Sequence, residues 1–462
     1  MICIINRILV TLMLALPAAI TAAEPSKSPT KPNIVLILID DFGYECVTAN
    51  GGQSYKTPVM DKLAATGVRF EQCHAQPLCT PTRVQLMTGM SNRRNYSNFG
   101  NMDRTQTTFG NLLKNNGYAT AMAGKWQLGV EADGPKNFGF DEHCLWQFVE
   151  KGSRYKNPTL ETNGKVVVFK NNEYGPDIVS DFALDFITRK KDVPFFLYYT
   201  MMLTHSPFDA TPDSPDYLTD MGKKSKSKGK GDDANASKTK AEGGGSSKGD
   251  HFPDMTAYAD KLIGKLIAKL DELDLRDNTL VLILGDNGTS KTVKSKFMGR
   301  DVSGGKGSAT SWGTRVPGIG NWPGRAVSGK VSTDLIDTTD FLPTICEVTK
   351  TPIPDTLKID GRSFLPQLIG EKGNPREWIY HWFGPEGGEK ADSEFAHDGK
   401  YWLFTDGRFY DVEQDDRLKK PLAASALDAN AIAAKAKLQD ALKEFSWSRD
   451  PYFVKQYQTG SE

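Results

Sequence analysis

Three runs of this chain are almost wholly apolar, and each stops abruptly at groups that ionise or coordinate. "NIVLILIDD" (33–41) ends in Asp40 and Asp41, "VPFFLYYTMMLTHSP" (193–207) delivers His205, and "NTLVLILGDNG" (278–288) delivers Asp286 and Asn287. A weaker run, "YATAMAGKWQ" (118–127), ends near Lys125. A strand that is apolar on both faces needs cover on both faces, which is the situation of parallel strands between helices. Helical patterns lie between the runs: "TPVMDKLAATG", and "DMTAYADKLIGKLIAKLDEL" with Met255, Leu262, Leu266, Leu270 and Leu273 on one face. The alternation predicts an α/β fold, a large mostly parallel or mixed sheet flanked by helices. In such sheets ligands gather outside the carboxyl ends of the strands, so the polar groups at several strand ends are expected to converge.

The rest of the chain sorts around this unit, placed at 33–365. Beyond it, "REWIYHWF", "KYWLFTDG" and "RFYDVE" read as short aromatic strands, and an Ala-rich helix follows. Together they predict a C-terminal antiparallel-sheet and helix subdomain over 366–462. At the other end, Arg7, the apolar run Ile8–Ile20 and the small residues to Ala23 read as a signal peptide (1–23), with a linker over 24–32. Export to the periplasm or outside the cell is therefore expected. No later run approaches the ~18 apolar residues of a spanning helix. A Lys/Ser/Gly-rich insertion at 221–250 is expected to be disordered, either as a solvated loop or as a basic tether for a polyanionic substrate. Acidic and basic residues balance at 57 each, which argues against a general nucleic-acid binder. Oligomeric state is not legible.

"QPLCTPTRVQLMTG" (76–89) places a sulfur at the start of a helix. Thr80 as N-cap and Pro81 at the first helical position predict a helix running to about Gly89, with Cys79 at its positive end and Arg83 a turn further on. Export would leave Cys46, Cys73, Cys79, Cys144 and Cys346, an odd number for an oxidising compartment. Cys79 is thus either half of a disulfide with Cys73 or a nucleophile position.

The segment "CTPTRVQLMTG" resembles the sulfatase signature, Cys-x-Pro-x-Arg followed at fixed spacing by Thr-Gly. "PNIVLILIDD", "AGKWQLG", "THSP" and "GDNG" match the family in order, with "GGKGSATSWGTRVP" after them, so the resemblance spans roughly residues 32–415. It implies an alkaline-phosphatase-like fold and hydrolysis of sulfate monoesters. It also implies oxidation of Cys79 to formylglycine by a maturation (formylglycine-generating) enzyme. By the same resemblance, one hydroxyl of the hydrated aldehyde attacks sulfur, and the second lets sulfate be expelled. Arg83 matches the arginine that anchors formylglycine, and Lys125, His205 and Lys306 match sulfate-contacting residues. His205 is the expected general acid, with Lys306 as a possible partner, because imidazoles titrate near neutrality.

Asp40, Asp41, Asp286 and Asn287 supply hard oxygen ligands that, with residue 79, suit Ca2+, or Mg2+. Three carboxylates that close also call for a cation on electrostatic grounds. Gln127 stands where the family usually has a histidine that assists the second hydroxyl; an amide can hydrogen-bond substrate but cannot act as a base. His74 is weighed as a substitute base against a structural role. Export, the basic insertion and Trp126, Trp146, Trp378 and Trp382 suit a sulfated carbohydrate, although the tryptophans could equally be framework. Two alternatives stay open: a phosphonate monoester or phosphodiester hydrolase on the same scaffold, and a non-catalytic sulfated-glycan-binding protein. Which sugar is cut, and whether from chain ends or internally, is left undetermined.

Overall fold

The structure, a computed structural model, describes residues 31–146, 152–217 and 251–459. The leader, the linker up to Thr30 and the 221–250 insertion lie outside the described residues. The strands are β1 (Asn33–Ile39), β2 (Val68–His74), β3 (Ala119–Lys125), β4 (Glu142–Trp146), β5 (Thr159–Thr162), β6 (Lys165–Val168), β7 (Phe195–Thr200), β8 (Thr279–Gly285), β9 (Lys294–Phe297), β10 (Arg300–Ser303), β11 (Gly318–Asn321), β12 (Lys330–Asp337), β13 (Ile379–Phe383), β14 (Ser393–His397), β15 (Tyr401–Phe404) and β16 (Phe409–Asp411).

Ten of them form one mixed sheet in the order β12-β2-β11-β8-β1-β7-β3-β4-β5-β6. The central strands β8, β1, β7, β3 and β4 run parallel to one another. β11 lies antiparallel between β8 and β2, which returns β2 to the common direction. β1 shows why its sequence is apolar throughout. Ile34, Leu36 and Leu38 enter the core on one face, whereas Val35, Ile37 and Ile39 enter the core on the other. The helices Pro58–Ala65, Gly175–Arg189 and Phe252–Glu272 cover the second face through Met60, Val179, Phe186, Leu262 and Leu266. Cys79–Thr88, Phe109–Asn115 and Phe341–Thr349 cover the first through Leu86, Phe109 and Leu342. Each such side chain contributes about 1.5–3 kcal/mol relative to exposure. This burial on both sides holds the strand ends in place. Among the described residues, no helix is long and apolar enough to cross a membrane.

β13 to β16 form the small antiparallel sheet in sequence order. The helix Ala429–Glu444 packs Leu438 and Ala441 against Leu403 and Phe409, and the Asp428 side chain caps it by accepting from Ala431 N (2.8 Å). Three of these strands match the aromatic runs read from sequence. The fourth, β14, carries no comparable apolar run and is recruited by pairing with β13 and β15.

Three buried histidines link the two sheets. His397 on β14 lies 4.4 Å, ring to ring, from His74 at the end of β2, and its Nε2 is 3.1 Å from Nε2 of His381 on β13. His74 is bonded at both ring nitrogens, to Thr314 Oγ1 and Gln72 Oε1 (3.1 Å each), so the structural role is the one its surroundings support. Burial and mutual repulsion hold His74 and His381 well below the ordinary imidazole range, and burial lowers His397 to about 3. The unfolded chain protonates these groups below about pH 6.5 while the folded chain keeps them neutral, so stability falls as pH drops from there towards the folded value. At pH 5 the loss is on the order of 2 kcal/mol per histidine relative to neutral pH. Chemical denaturation at pH 7 and pH 5 is expected to show this loss, and His397→Phe is expected to reduce the pH dependence. An unchanged slope in that variant would refute the assignment.

Candidate active site

The carboxyl ends of β1, β3, β7 and β8 point the same way, and the chain leaving β2 reaches that edge through the helix Cys79–Thr88. This helix begins earlier than the sequence suggests. Leu78, extended at φ −136° and ψ 159°, is its N-cap, so Cys79 is its first residue. Thr80 does not cap; its hydroxyl accepts from Gly100 N (3.2 Å). The entry is held instead by Thr82, whose Oγ1 accepts from Gln76 N (3.0 Å), and Gly89 ends the helix at φ 67°. No disulfide competes for the sulfur, because Cys79 and Cys73 are both free and buried, like Cys46, Cys144 and Cys346.

Backbone geometry aims the other groups. Gly124 lets β3 close on β7, since a Cβ there would lie 1.7 Å from Thr200 O. Lys125, the next residue, ends β3 fully buried, with Nζ 3.1 Å from Asp40 Oδ1. Asp41 is left-handed (φ 57°), a region that aspartate tolerates better than most residues, and its N–H donates to Asp286 Oδ1 (2.9 Å). Gln127 is also left-handed (φ 56°) and is 4% exposed, and neither polar atom of its amide has a partner.

Asp40 is the centre of a charge cluster. Lys125 approaches Oδ1, Arg154 Nη1 approaches Oδ2 at 2.7 Å, and Arg83 Nη2 lies 4.0 Å from Oδ1. Arg83 also pairs with Asp286 Oδ2 (3.0 Å) and donates to Lys125 O (3.1 Å). A second group lies beside it: Lys306 Nζ is 2.8 Å from Asp41 Oδ2 and 3.0 Å from His205 Nε2. His205 Nδ1 lies 2.6 Å from Ser206 O, which fits a proton on Nδ1 donated to that carbonyl and leaves Nε2 to accept from Lys306.

Burial opposes ionisation of Asp40, but Lys125, His205, Arg154 and Arg83 outweigh it and hold its carboxyl well below the usual range. Asp41 is likewise lowered against burial by Lys306 and His205. Asp286 is different: burial and the nearby Asp40 raise it to about 7, despite Arg83 and Lys125. The site is therefore short of positive charge at Asp286. Burial also pushes the Cys79 thiol up, so an unmodified cysteine here would be a protonated, weak nucleophile.

The donor set fits a divalent cation. One ligand atom each from Asp40, Cys79 and Asp286 lies within 4.8 Å of the others. Asn287 commits its amide N–H groups to Asp41 Oδ1 and Gly288 O (2.9 Å each), and its Oδ1 is buried without a partner. Carboxylates and an amide oxygen are hard ligands of the kind Ca2+ and Mg2+ take. Asp41 stands next to this cluster, tied to it through Asn287 and Asp286.

The ten residues assigned to the site from sequence thus sit at one edge of the sheet, at or just beyond strand ends, on the Cys79 helix or, for Lys306, against Asp41. Sequence reasoning missed Arg154 and Tyr155. Arg154 is clamped over the Trp146 ring (4.1 Å) and donates to Met202 O (3.2 Å), while the Tyr155 hydroxyl bonds Met202 O (3.0 Å) and His205 O. Both lie in an unpatterned loop before β5 with no motif to mark them. Trp126 and Trp382 are buried in the core and Trp146 backs Arg154, which is the framework reading of the tryptophans.

Comparison with known proteins agrees with this geometry. The family model described as Sulfatase matches residues 32–351. Human arylsulfatase A is 29% identical over 439 residues, covering 86% of this chain and 78% of that protein. Among solved structures, Ps i-CgsB in complex with k-i-k-neocarrahexaose superposes with a TM-score of 0.72 at 23% identity, covering 93% and 97% of the two chains. The phosphonate monoester hydrolase of Agrobacterium radiobacter shares the fold at a TM-score of 0.63 and 18% identity, covering 90% and 95%. The fold, a large mixed sheet between helical layers with a small antiparallel sheet after it, is the one these solved structures share. The chain belongs to the sulfatase family, whose members are sulfuric ester hydrolases.

Removing Asp40 would take the bonded carboxylate from two buried cations, Lys125 and Arg154, while Arg83 keeps its pair with Asp286. In metal-free protein, Asp40→Ala is expected to cost about 3–5 kcal/mol of stability. Asp41→Ala should cost less, because its partner Lys306 retains 20% side-chain exposure. Urea unfolding in EDTA measures both, and equal losses would refute the central position given to Asp40.

Proposed function

We propose that this protein is an exported sulfatase that hydrolyses sulfate esters of carbohydrates, using formylglycine made from Cys79 by a maturation enzyme. The observation that carries the reading is the convergence of Asp40, Asp286 and Cys79 within 4.8 Å, surrounded by buried Lys125, Arg83 and Arg154. Asp40, Asp41, Asp286, Asn287 and residue 79 would hold the cation, Ca2+ or Mg2+. When bound, it supplies Lewis acidity towards a sulfate oxygen. Hydrated formylglycine supplies one hydroxyl for attack on sulfur and a second for release of sulfate.

The remaining steps belong to the chain's own side chains. Arg83 fixes residue 79 at the head of its helix. Lys125 and Lys306 present ammonium donors where negative charge grows as the S–O bond breaks. Burial works against the charge on Lys306, but Asp41 outweighs it and keeps the amine protonated. The leaving oxygen takes its proton from the His205–Lys306 pair: His205 Nε2 delivers it, and Lys306 hands its own proton to that nitrogen. Gln127 is an uncommitted amide that can bond the sulfate or the diol; having no basic atom, it leaves proton removal from the second hydroxyl to another group.

Carbohydrate is favoured as substrate because a likeness of fold extends to a protein solved with a neocarrahexaose, and because the apolar leader at 1–23 suits an extracellular polymer. The shared fold of the phosphonate monoester hydrolase supports a second reading, hydrolysis of phosphonate monoesters at the same site.

Rates on matched 4-nitrophenyl sulfate and phenylphosphonate esters decide between the two. Sulfate turnover well above phosphonate turnover supports the first. Mass spectrometry across Cys79 in protein from its native host tests maturation; an unmodified thiol with tight glycan binding and no sulfate release would replace enzyme with binding protein. Cys79→Ala is expected to abolish turnover. EDTA should inactivate and Ca2+ restore. His205→Ala is expected to lower kcat on a sugar sulfate about 10²–10⁴-fold, and less on nitrophenyl sulfate, whose leaving group needs no proton. Equal losses on both would remove His205 as the acid.

A further inference from the structure

A cleft of about 490 Å³ opens between the β9–β10 hairpin and the loops of the small sheet, and none of the active-site residues lines it. Its size falls within the usual range for small-ligand sites. Glu45 lines the cleft with a carboxyl that burial pushes up and whose Oε1 has no partner. Most of the cleft's other charged groups are already matched: Arg300 with Asp416 (2.9 Å), Lys400 with Glu413 (2.7 Å), and Asp398 with Lys437 (2.9 Å). Arg315 is not. Its Nε donates to Glu71 O (2.6 Å) and its guanidinium lies 3.8 Å over the Tyr44 ring, but among the described residues no carboxylate bonds it. Burial pushes its pKa down, and Tyr44 and Glu71 offset this only in part, as expected for a cation short of an anion. Stacking on an aromatic face fixes the guanidinium plane and leaves its N–H edge to recognise an anionic group.

The rim carries a second signal. Met298 and Gly299 form the hairpin turn, both left-handed (φ 48° and 81°), and Met298 is 73% exposed. Asn or Asp is the usual residue at that position, and a methionine there costs roughly 1–2 kcal/mol. An apolar side chain held at that cost beside a cleft mouth is accounted for by a ligand that covers it. Gln72, Ser311 and Gln414 add side chains suited to hydroxyl groups.

We propose that this cleft is a second, non-catalytic site for an anionic sugar residue, with Arg315 bonding its sulfate or carboxylate and Met298 covering its apolar face. The proposal rests on the carbohydrate reading of the active site. It extends that reading to a polymer held at two points, because Trp312, in the cleft wall, packs against the loops that bear Asn287 and Lys306. A Cβ on Gly288 or Gly305 would lie 1.9 or 2.3 Å from the Trp312 backbone. Two-point attachment raises the local concentration of the polymer without altering chemistry on a small ester.

The test uses the full-length protein titrated calorimetrically with a carrageenan hexasaccharide, whose anions are sulfates, and an oligogalacturonate, whose anions are carboxylates. Arg315→Gln removes the cation. Thr333→Trp fills the cleft from an exposed, bulged position on β12, and so decides alone if the first variant does not fold. Binding of at least one probe is expected, weakened about 10-fold or more by each folded variant, in keeping with loss of a charged hydrogen bond. Sulfate as the bound group predicts the first probe, and carboxylate the second. Failure of both probes, or wild-type affinity in Thr333→Trp, overturns the proposal. Hydrolysis of 4-nitrophenyl sulfate should be unchanged in both variants. Its absence in the mature wild type would sink the sulfatase reading instead, leaving the cleft to the binding result.

Discussion

Compensation of the Asp40 carboxylate is the constraint on which the rest depends. Taking one carboxylate and three cations out of water is costly, and the desolvation is offset only if the charges meet at hydrogen-bonding distance. Lys125, Arg154 and Arg83 come from the end of β3, the loop before β5 and the first turns of the Cys79 helix. Their approach to one carboxylate therefore fixes three elements against β1. The two-faced core beneath supplies the rigidity. β1, buried on both sides and paired with both β7 and β8, cannot shift without moving the whole charge set.

Around that centre the site is unevenly satisfied, and the imbalance is informative. Asp40 and Asp41 are held as carboxylates by their cations, whereas burial and Asp40 outweigh Arg83 at Asp286, and the oxygen of Asn287 has no partner. A protein with no use for that deficit would be more stable with apolar groups of the same shape. Retaining it keeps a place for a hard cation. The backbone agrees, because the left-handed residues Asp41 and Gln127 sit at the same strand ends, where strain tends to be kept for function. Lys306 and His205 complete a gradient from wholly buried charge at Asp40 to the partly open side from which an ester would enter.

Much of this was legible in the residues. The apolar runs marked β1, β7 and β8, and their abrupt polar endings located Asp40, Asp41, His205, Asp286 and Asn287, because burial on both faces leaves a strand no freedom to place such groups except at its ends. The family motifs added Cys79, Arg83, Lys125 and Lys306. Less was readable where structure is set by partners. β14 has little apolar pattern and exists because β13 and β15 flank it, and Thr80 loses the cap position to the geometry of the entering chain at Leu78.

By itself, then, the sequence determined the layered α/β class, the chemistry collected at the strand ends and the family, since hydrophobic periodicity and motif spacing are local properties. Only the tertiary structure decided that Arg154 shares Asp40 with Lys125, that the histidines of two sheets form one neutral cluster, and that Arg315 lines a cleft with no carboxylate bonded to it. Each of these joins residues from separate elements. Their energies depend on distance and on exclusion of water, and neither is written in the order of the chain.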